Sequence, residues 1–512
     1  MKKVLRVCLL SFLLTGCNYF IDFNGKFNSI LDNNINQYLS SSSDGSINIE
    51  DNIGKEGIKG PEYLEYYSDV TNCKMLPSLG TQKMLVVPVM FEDDLEENLL
   101  YPSSKIFSDL DIAFNGTSEE TGWESIQSYY YKSSYGKLDI ESDIYEDWIV
   151  LDKTFKEISK LSPNTYSDPT WYVVDYVVDE LKNQNIDLTE YDNNHDGFID
   201  GIWLIYGRLD YTKMVFPSND EKNLLWAYTF WEHNNEASLT NPKANVYCWG
   251  SYDFMYGSKG TPLKIDTHTY IHETGHMLGL DDYYDYDDVS NPSGCLDMMD
   301  YNIGDHNAYT KFLLGWIEPK VYDFSKKTYT LEPFESSGDC ILIPSSKDRN
   351  ISAVEEYLLV EFYTPTGLNY LDSKYNYLNK YPKMFTNLGL KIYHIDSRIG
   401  QLIYKDGDWL FDKYAYNFLI EDLYNQTKSN NYFSIFASNT PSYSYKEKYN
   451  LLTLVSSVQR QGYEYKNLYA QNQDLFKVGS KLSNFVFNDG NKIDLNLKVL
   501  EVNEVKAKIE IG

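Results

Sequence analysis

Positive charge is in short supply in this sequence. The 512 residues include 45 Lys and Arg against 75 Asp and Glu, a formal net charge of −30, and no basic cluster offsets the deficit. Such a surface repels a phosphate backbone, which excludes nucleic acid as a partner. Cysteine is sparse as well, at six copies. With Cys8 and Cys17 set aside for the processing described below, Cys73, Cys248, Cys295 and Cys340 allow two disulfides, too few for a disulfide-built scaffold. Their pairing, or their persistence as free thiols, stays open. No segment reaches the ~18 continuous apolar residues of a membrane-spanning helix, and no tandem repeat stands out at solenoid spacing. Disorder is excluded from the other side, because 42% hydrophobic and 16% aromatic residues supply ample apolar area. A single core stops growing near about 250–300 residues, so two folded domains are expected.

The opening stretch MKKVLRVCLLSFLLTG places Lys2, Lys3 and Arg6 before an apolar run ending at Leu14, the build of a secretory signal. Leu14-Thr15-Gly16-Cys17 then resembles the bacterial lipobox, in which cleavage leaves Cys17 as an acylated N-terminus. This predicts a signal peptide over 1–16 and a lipid anchor to the outer face of a bacterial membrane, with shedding from that anchor as the alternative. The Ser-rich stretch from Ser40 to Ser46 reads as part of a tether or short pro-region covering 17–75.

Further on, Met84 to Phe91 (MLVVPVMF) predicts a buried strand, with Pro88 favouring a place near a sheet edge. Trp123-Glu124-Ser125-Ile126 leads into a helix. Asp168-Pro169 caps another, on which Val173, Val174, Val177, Val178 and Leu181 recur at helical spacing. Gly201 to Gly207 reads as a second buried strand. Beyond Pro319 the pattern changes to short strands at Thr328–Leu331, Cys340–Ile343, Tyr357–Phe362 and Leu390–Ile395. Ile493, Leu495, Leu497 and Val499 then alternate cleanly, as do Val505, Ala507, Ile509 and Ile511. The expected fold class is α/β (α+β) over 76–320, followed by a mainly β, sandwich-like domain over 321–512.

Chemistry concentrates at residues 272–282, HETGHMLGLDD. On a helix, His272 and His276 share one face and can reach a single zinc ion, while Glu273 is placed to take a proton from a water that the metal activates. Gly279 lets the chain leave the helix through a left-handed turn, so that Asp282 returns as third ligand; Asp281 and Asp285 are its alternatives. Met298 or Met299 is a candidate hydrophobic floor beneath the metal. Tyr301 is a candidate hydrogen-bond donor to a tetrahedral oxyanion, with His306 as competitor. Elsewhere, Asp192, Asn194, Asp196, Gly197 and Asp200 set oxygen side chains at the spacing of a calcium loop. The twelfth position is Trp203, which offers no bidentate carboxylate, so any calcium site there is incomplete. Cys73, ahead of the first strand, is a candidate thiolate ligand for latency.

Several of these segments resemble the immune inhibitor A family of secreted bacterial metallopeptidases. They are YIHETGHMLGLDDYYDYD, GCLDMMDYN and HNAYTKFLLGWIEP, and upstream MLVVPVMFEDD, WESIQSYYYKSSYGKLDI and YDNNHDGFIDGIWLIYG, in the family's order from about residue 80 to 320, with GLKIYHID a weaker match later. The resemblance implies a metzincin-like zinc peptidase domain and carries over His272, Glu273, His276 and Asp282. Two departures stand out: the region before Met84 is short for the family's large propeptide, and Leu296 replaces the usual Trp before DMM. The expected function is a lipid-anchored extracellular zinc endopeptidase acting on proteins or peptides. The competing expectation is a non-catalytic surface adhesin or ligand-binding lipoprotein that kept the fold.

Overall fold

The apolar run at 84–91 lies, all but Phe91, within strand β1 (Gly80–Met90) of a six-stranded sheet. The computed structural model describes residues 52–161, 168–231, 233–257, 260–286, 290–405, 408–428, 432–435, 438–440, 449–458 and 469–512. The signal segment 1–16, Cys17 and the Ser40–Ser46 stretch lie outside the described residues. The architecture mixes α-helices with several sheets. Among the described residues no helix is long and apolar enough to cross a membrane. The chain divides into two compact units: one of Asn72–Lys132 and Gly136–Leu280, the other of Asp281–Gly512 with Ser133–Tyr135 and the described residues 52–71.

In the first unit β1 is parallel to β2 (Leu138–Ile144), β3 (Ile149–Val150) and β4 (Ile202–Tyr206). Strand β5 (Tyr228–Phe230) closes one edge antiparallel to β6 (Tyr247–Ser251), which itself runs parallel to β4. Every residue of β4 is buried, as expected for a parallel strand covered on both faces. Leu204 and Tyr206 share a core with Val173, Val174, Val177, Val178 and Leu181 of helix α1 (Thr170–Asn183). The alternate residue Trp203 donates from Nε1 to Thr274 Oγ1 at 3.1 Å, on helix α2 (His268–Met277). Asp168 caps α1 through Oδ1, which accepts from the Thr170 amide at 2.8 Å.

Pro88 corrects the edge expectation, because β1 is an interior strand. Along β1, Val86 and Met90 accept from Tyr145 and Leu151 on the β2–β3 flank, and Pro88 faces the same way. Since β2 ends at Ile144 and β3 begins at Ile149, the missing N–H of Pro88 falls in the gap between them. The proline therefore costs no ladder bond.

In the second unit, a five-stranded sheet is built from β7 (Lys320–Val321), β9 (Cys340–Pro344), β10 (Glu356–Tyr363), β11 (Gly389–Asp396) and β12 (Leu452–Leu454). A four-stranded antiparallel sheet holds β8 (Lys327–Leu331), β13 (Lys481–Val486), β14 (Lys492–Val502) and β15 (Ala507–Ile511). Both contribute to one apolar core: Ile341, Leu358, Val360 and Ile392 from the first, Leu495, Leu497, Val499 and Ile509 from the second. The alternation read in the tail is the alternation of buried and exposed residues along β14. Helix α3 (Ala308–Leu313) is capped by Asn307 Oδ1, which accepts from the amides of Tyr309 and Thr310.

Candidate metal centre

Helix α2 is fixed before it presents any ligand. Tyr130 donates to the carbonyl of Ile271 at 2.7 Å, Thr267 donates to that of Glu124 at 2.8 Å, and Thr274 meets Trp203 from the sheet. The helix ends in a Schellman turn. Gly279 N–H reaches the His276 carbonyl at 2.8 Å and Leu280 N–H the Gly275 carbonyl at 3.2 Å. This geometry needs the left-handed backbone of Gly279, at φ +91°.

The turn also sets the chemistry of a ligand. His276 is buried, and its Nδ1 lies 2.7 Å from the Leu280 carbonyl. A carbonyl oxygen only accepts, so Nδ1 carries the proton and Nε2 keeps the lone pair that a metal requires. His272 stands one turn earlier, its ring centroid 4.9 Å from that of His276 at 86°. One ligand atom from each of His272, His276 and Asp282 lies within 4.8 Å of the others. Among the described residues this is the one set of three or more His, Cys, Asp or Glu so placed. Asp281 and Asp285 are not in it, and Asp285 Oδ2 instead accepts from the amide and hydroxyl of Ser290 at 3.0 and 2.6 Å. Asp282 is oriented by Tyr286, whose hydroxyl donates to Oδ2 at 2.6 Å. Two imidazoles and a carboxylate at this spacing could hold a metal ion through nitrogen and oxygen donors.

Glu273 is buried on the helix between the two histidines. Its surroundings come from the sheet: Thr229 Oγ1 lies 2.8 Å from its carbonyl oxygen and 3.1 Å from its Oε2. Cys248 Sγ lies 3.5 Å from the same carbonyl, and burial pushes this thiol well up, so it remains an S–H donor.

Tyr301 is 38% exposed, stacked between Tyr284 at 4.5 Å and Tyr381 at 5.8 Å. Burial, then the charges of Asp300 and Asp282, raise its phenol above the usual range, so it is a proton-bearing donor. His306 is buried, with Nδ1 3.3 Å from Asp297 Oδ1. Met298 and Met299 are fully buried, and the Met299 carbonyl accepts from Tyr283 N at 2.7 Å. Cys73, Cys248, Cys295 and Cys340 are all buried, and Cys73 is not part of the ligand set.

The acidic loop is placed differently. Asp192 accepts from the amides of Asp196 and Gly197, and Asp200 Oδ2 from those of Asn193 and Asn194. Asn194 Oδ1 accepts from the Asp196 amide at 3.0 Å. Lys74 Nζ sits 2.9 Å from Asp196 Oδ2, a cation supplied by the chain itself. Asp200 Oδ1 is buried with no hydrogen-bond partner among the described residues, and burial followed by the charge of Asp196 raises this carboxyl well above the usual range. The acidic side chains of the loop do not converge as the histidine set does.

Sequence reasoning missed Thr229, Cys248, Tyr286 and the Leu280 carbonyl. The first two come from strands distant in sequence; Leu280 lies within the motif, but a carbonyl leaves no trace in residue type, and Tyr286 stands four residues after Asp282. Compared with models of known protein families and with curated proteins, the chain matches none.

Proposed function

We propose that the protein is a zinc-dependent endopeptidase with a metzincin-like site of the immune inhibitor A kind. It is carried on the outer face of a bacterial membrane by lipidated Cys17 and acts on proteins or peptides there. The observation that carries this reading is the convergence of His272, His276 and Asp282 with a buried Glu273 between the two histidines. A bound zinc would supply Lewis acidity toward water and the scissile carbonyl. The residues of the chain do the rest. His276 presents Nε2 because Leu280 holds Nδ1–H, Tyr286 holds Asp282 in place, and Glu273 takes the proton of the attacking water and returns it to the leaving amine. Tyr301 is the proposed oxyanion donor. Calcium at Asp192, Asn194, Asp196 and Asp200 is a second proposed ion; the buried Oδ1 of Asp200 supports it, and Lys74 competes with it.

The test is zinc content together with cleavage of a peptide library by the mature chain. One bound zinc and hydrolysis are expected, and Glu273→Gln should lose at least ~100-fold in rate while keeping the metal. Activity of Glu273→Gln within a few-fold of the parent, or a parent that binds no zinc, refutes the reading.

A further inference from the structure

The antiparallel edge of the first unit's sheet reaches into the proposed site. Trp203, Cys248 and Thr229 are directly opposite one another across β4, β6 and β5, so their side chains share one face. That face meets α2: Trp203 bonds Thr274, while Cys248 and Thr229 both meet Glu273. Trp231, two residues beyond Thr229, lies edge-on to His276 with centroids 6.2 Å apart. Thr229 is completely buried, so water does not compete for its hydroxyl.

We infer that Thr229 is a positioning residue for Glu273: its hydroxyl fixes one carboxylate oxygen, leaving the other to exchange the proton. The donor count supports this. Glu273 offers two acceptors here, its carbonyl and Oε2, and a threonine hydroxyl has one proton. Cys248 Sγ, 3.5 Å from the carbonyl and 3.1 Å from Thr229 Oγ1, supplies the second donor. With the thiol serving the carbonyl, the hydroxyl is released to the carboxylate. A carboxylate held this way keeps one rotamer instead of swinging, and catalysis is sensitive to displacements of that size.

The consequence for rate rests on the peptidase reading, whereas the consequence for geometry does not. Thr229→Val keeps the shape and β-propensity and removes the hydroxyl; Thr229→Ser keeps the hydroxyl. In zinc-loaded crystals, Glu273 is expected to keep its parent rotamer in the Ser variant and to leave it in the Val variant. Zinc stoichiometry should be unchanged in both, since Thr229 holds no ligand. In peptide hydrolysis, kcat of Thr229→Val should fall by about 10-fold with KM unchanged, and Thr229→Ser should return it to within about 3-fold of the parent. Thr229→Ala repeats the comparison in a variant with no steric demand. An unchanged Glu273 rotamer in Thr229→Val, or equal losses in the Val and Ser variants, overturns the inference. A parent that binds zinc but cleaves nothing overturns the peptidase reading alone, because the rotamer comparison still decides the role of Thr229.

Discussion

Two side chains outside the histidine motif bear on ion binding, Tyr286 at the histidine centre and Lys74 at the acidic loop. Tyr286 donates to Asp282 at 2.6 Å, a bond that orients the carboxylate and restricts its rotation. Outer hydrogen bonds of this kind are worth about 10–100-fold in metal affinity. Tyr286→Phe should therefore weaken zinc binding by that order without unfolding the protein, as read by competition with a chromogenic chelator; unchanged affinity would remove Tyr286 from the site. Lys74 makes the opposite case at the acidic loop. Its ammonium occupies Asp196, and a divalent cation must displace it. Lys74→Met should consequently increase the melting-temperature rise produced by added calcium, by about 2–4 °C if binding gains ~1 kcal/mol. Equal calcium shifts in parent and variant would return the loop to a purely structural turn. His272, Glu273 and His276 were legible because helical spacing alone puts them on neighbouring positions. Thr229, 44 residues before Glu273, was not, since only sheet register brings it there.

Among the elements, the end of α2 carries the most consequence. Gly279 at φ +91° closes the Schellman turn, which in turn places the Leu280 carbonyl on His276. A Cβ there is strained by about 1–2 kcal/mol, so Gly279→Ala should lower the melting temperature. Because the same turn sets the His276 tautomer and leads to Asp282, zinc affinity should fall with it. A variant that loses stability but binds zinc like the parent would separate the turn from the ligand set. Sequence pattern read this helix, its left-handed exit, β1 and β4 of the first unit and β8 to β11 and β14 of the second, because apolar periodicity and burial have the same cause; it did not read β2, β3, β5 or β6. It misjudged Pro88, whose tolerance depends on β2 and β3 ending on either side of it. No local pattern encodes such a gap. The alternation in β14 was read correctly for the converse reason: Leu495 and Leu497 face a core while their neighbours face solvent.

Across the whole molecule, a net charge of −30 means that carboxylates dominate the response to solution conditions. Exposed carboxylates repel one another, and salt at ~0.15 M screens charges beyond about 8 Å, so the melting temperature should rise from low to physiological salt. Buried carboxylates give a separate dependence on pH. Burial pushes Glu355 up to about 7 against the opposing charges of Arg349 and Arg398, and Asp300 up to about 6. Asp489 near Glu355 acts in the same direction as burial. In the unfolded chain both groups lose their protons in the ordinary carboxylate range, whereas the folded chain retains them to higher pH. The folded state then binds more protons than the unfolded one, so this stabilisation is complete below the ordinary range and disappears as pH rises through about 6 and 7. A difference measurement isolates the contribution of Glu355. Glu355→Gln keeps the size and the acceptor oxygen for the Asn417 amide but does not ionise. Relative to this variant, the parent should lose melting temperature steadily between pH 5 and pH 8; a difference that is flat, or that rises with pH, would show that Glu355 is ionised in the folded protein throughout.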